Sequence, residues 1–377
     1  MCAPTNSTDY ETSLITRRNA MMRKTLGGVA VLTAAALLTA CAGGGGNGDD
    51  GTGEGGTVTF AGYGGVSEEA FTQAWFDPFF EESGIEVIPD SPADYARIQQ
   101  MVESGQVIWD IAQVGEDIGV KTNSELLTEI DCGVVDCTAF EDGLFPVEKY
   151  GMPALVFSVV LAYNSEAFEG NEPDSWSAFF DVENYPGKRA VFGRDAGGGL
   201  QGLLDVALIQ DGVPIDELYP LDVDRALAKL DTIRDHLILY NDFGECTTLV
   251  ATGEAVFGNC YNGRVDVAAS EGEPVAMTWA NQVQYADYLV VPKGAPNTSN
   301  AMDLLAYIGA GENNGRLGEF ITYGPPNPNA TIAPAVADAL PTANDMGGNE
   351  RAIKINGDWW AENLPMVNER WAQWKAE

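Results

Sequence analysis

From residue 57 onward, the spacing of apolar positions switches repeatedly between strand and helix periods. Val58-Thr59-Phe60-Ala61 reads as a strand, stopped by Gly62-Tyr63-Gly64-Gly65. Ser67 is placed to cap a helix over Glu68–Phe80, with Glu68 and Glu69 near its positive end. A short strand at 84–88, a helix at 95–104 and a strand at 107–112 follow. This alternation calls for an α/β fold with a mostly parallel sheet covered by helices. Ligands in such sheets bind beyond the strand ends, which places Tyr63, Gly64 and Gly65 at one rim with Gly115, Glu116 and Asp117. Residues 150–164 form a long extended run. Helices are expected at 200–210, 225–234 and 301–308, and strands at 255–258 and 285–291. Val367, Trp371 and Trp374 recur at helical spacing on a last helix and read as core.

Before residue 57 the pattern has a different meaning. Arg23-Lys24 precedes a short apolar run from Val29 to Leu38, then Leu38-Thr39-Ala40-Cys41. A positive start, a short apolar stretch and small residues at the cut define a secretory signal over residues 1–40. The run is too short for an ordinary spanning helix. Leu-Thr-Ala-Cys resembles a bacterial lipobox, whose cysteine, here Cys41, becomes the lipidated first residue. Met21 or Met22 is an alternative start, and Thr16-Arg17-Arg18 an alternative twin-arginine signal. Residues 42–56, nearly all Gly with Asp, Asn, Thr and Glu, read as a tether spanning roughly 20 Å.

The 377 residues suit two domains of ordinary size. Residues 1–40 hold four of the 20 Lys+Arg and two of the 56 Asp+Glu, so the remainder carries 16 basic against 54 acidic residues, a net of −38. Such a surface repels nucleic acid and anionic membranes. Lone His236 argues against histidine-based catalysis and histidine-rich metal sites. Cys132, Cys137, Cys246 and Cys260 allow three pairings; in an exported protein the most local one, 132–137 with 246–260, is expected. Metal binding is the rival, but no C-x-x-C or histidine partner supports it.

Arg264 falls in the first turn of a helical stretch, 265–270, that Asn262 is placed to cap. A cation there opposes the helix dipole. It is compensated either by an anionic ligand group or by a salt bridge to Asp266 or Glu271. Asp287 shares one face of an extended run with Val283, Tyr285, Leu289 and Val291. A carboxylate in that stripe needs a cation or several donors, unless it merely makes a local turn.

Several short motifs occur in a telling order: Tyr63-Gly64-Gly65, Asp94-Tyr95-Ala96, Trp176 with Tyr185-Pro186-Gly187-Lys188-Arg189, Asn262-Gly263-Arg264, residues 290–296 and Tyr323-Gly324-Pro325. Together they resemble the extracellular solute-binding proteins of ABC importers, in the spermidine/putrescine-type branch, over nearly all of residues 57–377. The resemblance implies a type II periplasmic-binding-protein fold: two lobes, a ligand cleft between them, and two crossovers near 162–164 and 286–288. Residues 57–163 and 287–377 would build the first lobe, with the last helices at the hinge, and 164–286 the second.

The resemblance further implies that Asp287 holds a ligand ammonium group and that Tyr261 and Tyr285 are aromatic walls, core packing being the alternative for both tyrosines. Tyr63, Tyr323 and Trp360 fall at other pocket positions. Asp195 aligns with a second pocket carboxylate, but the adjacent acidic position is Gly198 here; Glu116 and Asp117 are candidate replacements. Arg264 would repel a diamine. With Asp287 it suits a solute having one carboxylate and one amine, such as γ-aminobutyrate, so polyamine and zwitterion both stand. The expected partners are that solute, the transmembrane subunits of a permease and, through a lipid anchor, the membrane. A cell-surface or periplasmic monomer without metal or cofactor is expected. A hydrolase built on Glu116 and Asp117, or a receptor-coupled sensor, are the alternatives; G-x-S-x-G, His-Glu-x-x-His and Cys–His sets are absent.

Overall fold

A computed structural model describes residues 55–194 and 199–377. Cys41, Asp195 and Gly198 lie outside them. The first half starts as the spacing predicts: β1 (Thr57–Ala61), a helix α1 (Val66–Phe71) that runs on through Thr72–Phe76 and Asp77–Ser83, β2 (Glu86–Asp90), α2 (Tyr95–Ser104) and β3 (Ile111–Gly115). β1 lies between β2 and β3, parallel to both. α1 begins one residue before Ser67; Gly65, at φ 64°, occupies the cap position, and Ser67 is buried inside the first turn. The third strand starts later than its apolar run suggests, because Asp110 is spent on hydrogen bonds: it accepts from Thr59 N at 2.8 Å and Asn297 N at 2.7 Å.

Two long strands organise the rest of the sheet. β4 (Met152–Asn164) is buried at all 13 positions. Next come β5 (Arg189–Phe192), α3 (Gly199–Gln210), α4 (Val223–Asp231), β6 (Leu237–Tyr240), α5 (Glu245–Ala251), β7 (Phe257–Tyr261) and α6 (Asn262–Ser270). β8 (Val275–Pro292), 18 residues long, then returns antiparallel to β4. The strand order is β2-β1-β3-β8-β4-β7-β5-β6. One end of β4 and β8 therefore carries the β1–β3 strands, and the other end carries β5–β7. This is the expected two-lobed α/β arrangement with two crossing strands.

The β4–β8 register breaks where the strands pass between the two halves. Val159 faces Val283, but Leu161 faces Thr278, so 279–282 bulge from β8 against one residue of β4. Asn281 in that bulge has φ 51°. The bulge is tied to a later segment: Asn281 Nδ2 donates to Asn349 O at 2.7 Å, and Gln282 Nε2 to Asn344 O at 2.8 Å and Pro341 O at 3.1 Å.

α7 (Thr298–Gly309) follows, and α8 (Gly357–Ala376) closes the chain, burying Val367, Trp371 and Trp374 as its spacing predicts. Cys132 bonds Cys137 and Cys246 bonds Cys260, the local pairing. No helix among the described residues is long and apolar enough to cross a membrane.

Candidate functional site

The aromatic side chains at the crossing strands form a box. Phe157 of β4 stacks on Tyr285 of β8, with centroids 5.2 Å apart and planes 12° from parallel. It also meets Tyr261 at 5.4 Å and Tyr323 at 6.0 Å. Phe243 touches Tyr261 at 5.5 Å and Tyr63 at 5.2 Å. These six rings line a cavity that opens to solvent. The remaining lining is polar and sparse, and it includes Arg264, Asp287, Gln113 and Ser67.

Arg264 arrives by a tightly fitted turn. β7 ends at Tyr261, which stands at the N-cap position of α6 in extended conformation. Asn262 is not the cap. Its Oδ1 accepts from Ser158 N at 2.8 Å and its Nδ2 donates to Thr322 O at 2.6 Å, pinning the helix start to β4. Gly263 must lack a side chain, since a Cβ there would lie 2.4 Å from the Tyr323 ring. Arg264 then projects from the first turn. Its Nη2 donates to Gly64 O at 3.3 Å, and Gly64 and Gly65, both at positive φ, bring that turn against the guanidinium. Among the described residues it forms no ion pair with Asp266 or Glu271. The guanidinium donors thus stand on the cavity wall beside Tyr261, which suits a carboxylate.

Asp287 sits where β8 passes β3, opposite Gly115. Its Oδ2 accepts from Gln113 Nε2 at 2.6 Å, and it is 7% exposed. Burial pushes its carboxyl up to about 7; the Gln113 bond pulls down, the Asp117 charge pushes up and the Arg264 charge pulls down. An ammonium group in the cavity would return this carboxylate to its charged form. The Tyr261 and Tyr285 hydroxyls are buried without a hydrogen-bond partner. Buried hydroxyls are normally paired, so both have bonding capacity that no protein group takes up.

The other expected site residues divide. Gly64 contributes its carbonyl to Arg264. Tyr63 and Tyr323 line the cavity. Asp117 stands behind the wall, accepting from Tyr95 OH at 2.6 Å, and acts on Asp287 only through its charge. Glu116 turns the other way and packs on Gly357 at the start of α8; burial raises it to about 8, against the pull of Lys354 and Lys121. Trp360 is fully buried, off the cavity, donating to Tyr219 OH at 3.0 Å.

Sequence reasoning missed Phe157, Phe243, Gln113 and Ser67 as lining residues. Phe157 stands in a strand buried at every position and cannot be told from core by its spacing. Gln113 did leave a signal, as a polar residue in the middle of Ile111–Gly115.

Residues 74–342 match the family described as bacterial extracellular solute-binding protein. A γ-aminobutyric acid-binding protein of Pseudomonas aeruginosa is 30% identical over 337 residues, 85% of this chain and 91% of that protein. A spermidine/putrescine-binding periplasmic protein of Haemophilus influenzae is 25% identical, over 62% of this chain and 66% of that protein. A solved GABA receptor superposes with a TM-score of 0.75 at 32% identity, covering 85% of this chain and 98% of its own. The binding protein AgtB of Agrobacterium tumefaciens, solved with agropinic acid, gives 0.76 at 31% identity, covering 85% and 99%.

Proposed function

Because the chain belongs to the bacterial extracellular solute-binding protein family, we propose that it captures a small solute bearing one carboxylate and one ammonium group, and hands it to an ABC permease. The observation that carries this reading is the pairing of Arg264 and Asp287 on one aromatic-walled cavity that also holds two unpartnered hydroxyls. The carboxylate takes the Arg264 fork. The ammonium takes Asp287. The methylenes between them lie on Phe157 and the tyrosine faces, which also favour a cation. The γ-aminobutyrate named for the Pseudomonas relative has this form. A linear diamine, named for the Haemophilus relative, would satisfy Asp287 but meet Arg264 as a like charge.

Calorimetry decides between them. γ-Aminobutyrate is expected to bind at least tenfold more tightly than putrescine, with spermidine weaker still. Failure of every amine and amino acid sinks the proposal. A hydrolase loses its support, since Glu116 and Asp117 diverge to opposite partners.

The solute would be captured outside the cytoplasmic membrane by a monomer anchored through lipidated Cys41. More than one acyl chain is needed for stable anchoring, which lipoprotein processing supplies. Cys41→Ser is expected to move the protein from the membrane fraction to the soluble fraction of expressing cells. Unchanged sedimentation with membranes would refute the anchor.

A further inference from the structure

A glycine places Asp117 beside Asp287. Gly115 closes β3 and is the register partner of Asp287 on β8. Residues directly opposite in an antiparallel pair point to one face, with Cβ atoms about 4.5–5.5 Å apart. Gly115 leaves its place on that face empty, and the chain turns back into it. A Cβ on Gly115 would lie 2.7 Å from Asp117 Oδ1. The Asp117 carboxylate therefore occupies the side-chain position next to Asp287. Gln113, two residues earlier on β3 and so on the same face, reaches Asp287 along it.

Both carboxylates are buried, at 4% and 7% exposure. Asp117 accepts from Tyr95 OH at 2.6 Å and Asp287 from Gln113 Nε2 at 2.6 Å, and both of these donors are neutral. The cation that acts on Asp287 is Arg264. The other titratable groups facing the pair are the hydroxyls of Tyr63, Tyr95, Tyr261, Tyr285 and Tyr323, with Glu116 on the far side of Asp117. Two like charges set side by side away from water are costly to keep, and a proton held on one of them relieves the cost. Burial lifts the Asp287 carboxyl to about 7, and Asp117 is the carboxylate that adds to the rise.

We propose that Asp117 is a positioning residue for the ammonium end of the box: with Asp287 it forms a carboxylate pair that holds one proton while the box is empty and gives it up when an ammonium group arrives. The O–H bond of the Asp287 carboxyl breaks, its proton passes to solvent, and the carboxylate left behind pairs with the ammonium. Capture is thereby coupled to release of a proton, and Asp117 sets the pH range of the coupling. This assignment rests on the proposed role of Asp287.

Calorimetry of γ-aminobutyrate at pH 6 and pH 8 tests it, on the wild type, Asp117→Asn and Gly115→Ala. Asparagine keeps an oxygen for Tyr95 OH but carries no charge. Alanine keeps the Asp117 charge, but its methyl displaces that carboxylate from beside Asp287; Gly115, at φ −80°, accepts it without backbone strain. A carboxyl titrating near 7 makes the wild type bind about tenfold more tightly at pH 8 than at pH 6. With the neighbouring like charge worth about one pH unit, each variant is expected to cut that ratio to about twofold. For the wild type at pH 6, heats in phosphate and in MES buffer should differ by the release of nearly one proton per solute, and for Asp117→Asn by about half as much. A merely structural loss weakens binding equally at both pH values and leaves the ratio at about tenfold, which overturns the pair. So does full proton release from Asp117→Asn. A wild type whose affinity does not change with pH defeats the reading of Asp287 itself, and this one with it.

Discussion

Replacing Arg264 with alanine is expected to abolish amino-acid binding and to spare or improve diamine binding. The guanidinium is aimed by a turn whose preceding residues are each committed elsewhere. Asn262 pins the helix start, and Gly263 admits the Tyr323 ring. Removal of the guanidinium leaves that turn intact, so the loss is one of ligand contacts. Two charge-assisted hydrogen bonds of about 1.5–3 kcal/mol each, lost together, predict a weakening of 100-fold or more for γ-aminobutyrate. For putrescine the same change removes a like charge from the wall, and affinity holds or rises. Calorimetry of both solutes on the one variant reads both signs. Retained amino-acid binding together with lost diamine binding would reverse the assignment of this wall.

Asp287→Asn is expected to weaken ammonium-bearing ligands by 100-fold or more and, at pH 8, to make the ligand-free protein more stable. The asparagine oxygen can still accept from Gln113, so the local bond survives. The stability gain follows from the direction of the shift. Asp287 titrates near 7 when folded, against about 3.9 for an unfolded chain. The native state therefore holds the proton more tightly. The stability this confers is full below pH ~4 and is lost as pH rises through 7. The asparagine variant lacks that loss. Its melting temperature should exceed the wild type's by several degrees at pH 8 and match it near pH 4. Binding is expected to run the opposite way: if Asp287 holds the ammonium, the wild type's affinity falls as pH drops below 7, while the variant's weak binding stays flat. Equal melting temperatures at pH 8 would show that burial does not raise the Asp287 carboxyl, and a pH-independent wild-type affinity would show that Asp287 is not the group holding the ammonium.

Much of this site was legible because its charged members break a pattern. Arg264 at a helix start and Asp287 in an apolar stripe are each in the wrong company for their secondary structure, and both prove to line the cavity. The aromatic members were less legible. Tyr261 and Tyr285 carry the same apolar spacing as core residues, and only their unpaired hydroxyls separate them from core. Phe157 and Phe243 have no such mark. Glu116 and Asp117 misled for a topological reason: they are neighbours at the sheet rim, but a tight turn sends one toward α8 and the other toward Tyr95. In the fold, the alternation of strands and helices announced the parallel strand pairs. The register break was not read, although its polar members Asn281 and Gln282 interrupt the apolar run of β8.

The pairing of β3 with β8 has a consequence for biogenesis. Gln113 and Asp287, hydrogen-bonded partners, lie 174 residues apart in the chain, and neither half of the sheet is complete until β8 has been made. Pairings so distant form slowly, because loop closure must be completed before they stabilise anything. The interleaved order of the strands thus makes both halves of the sheet wait on one late-made strand, β8.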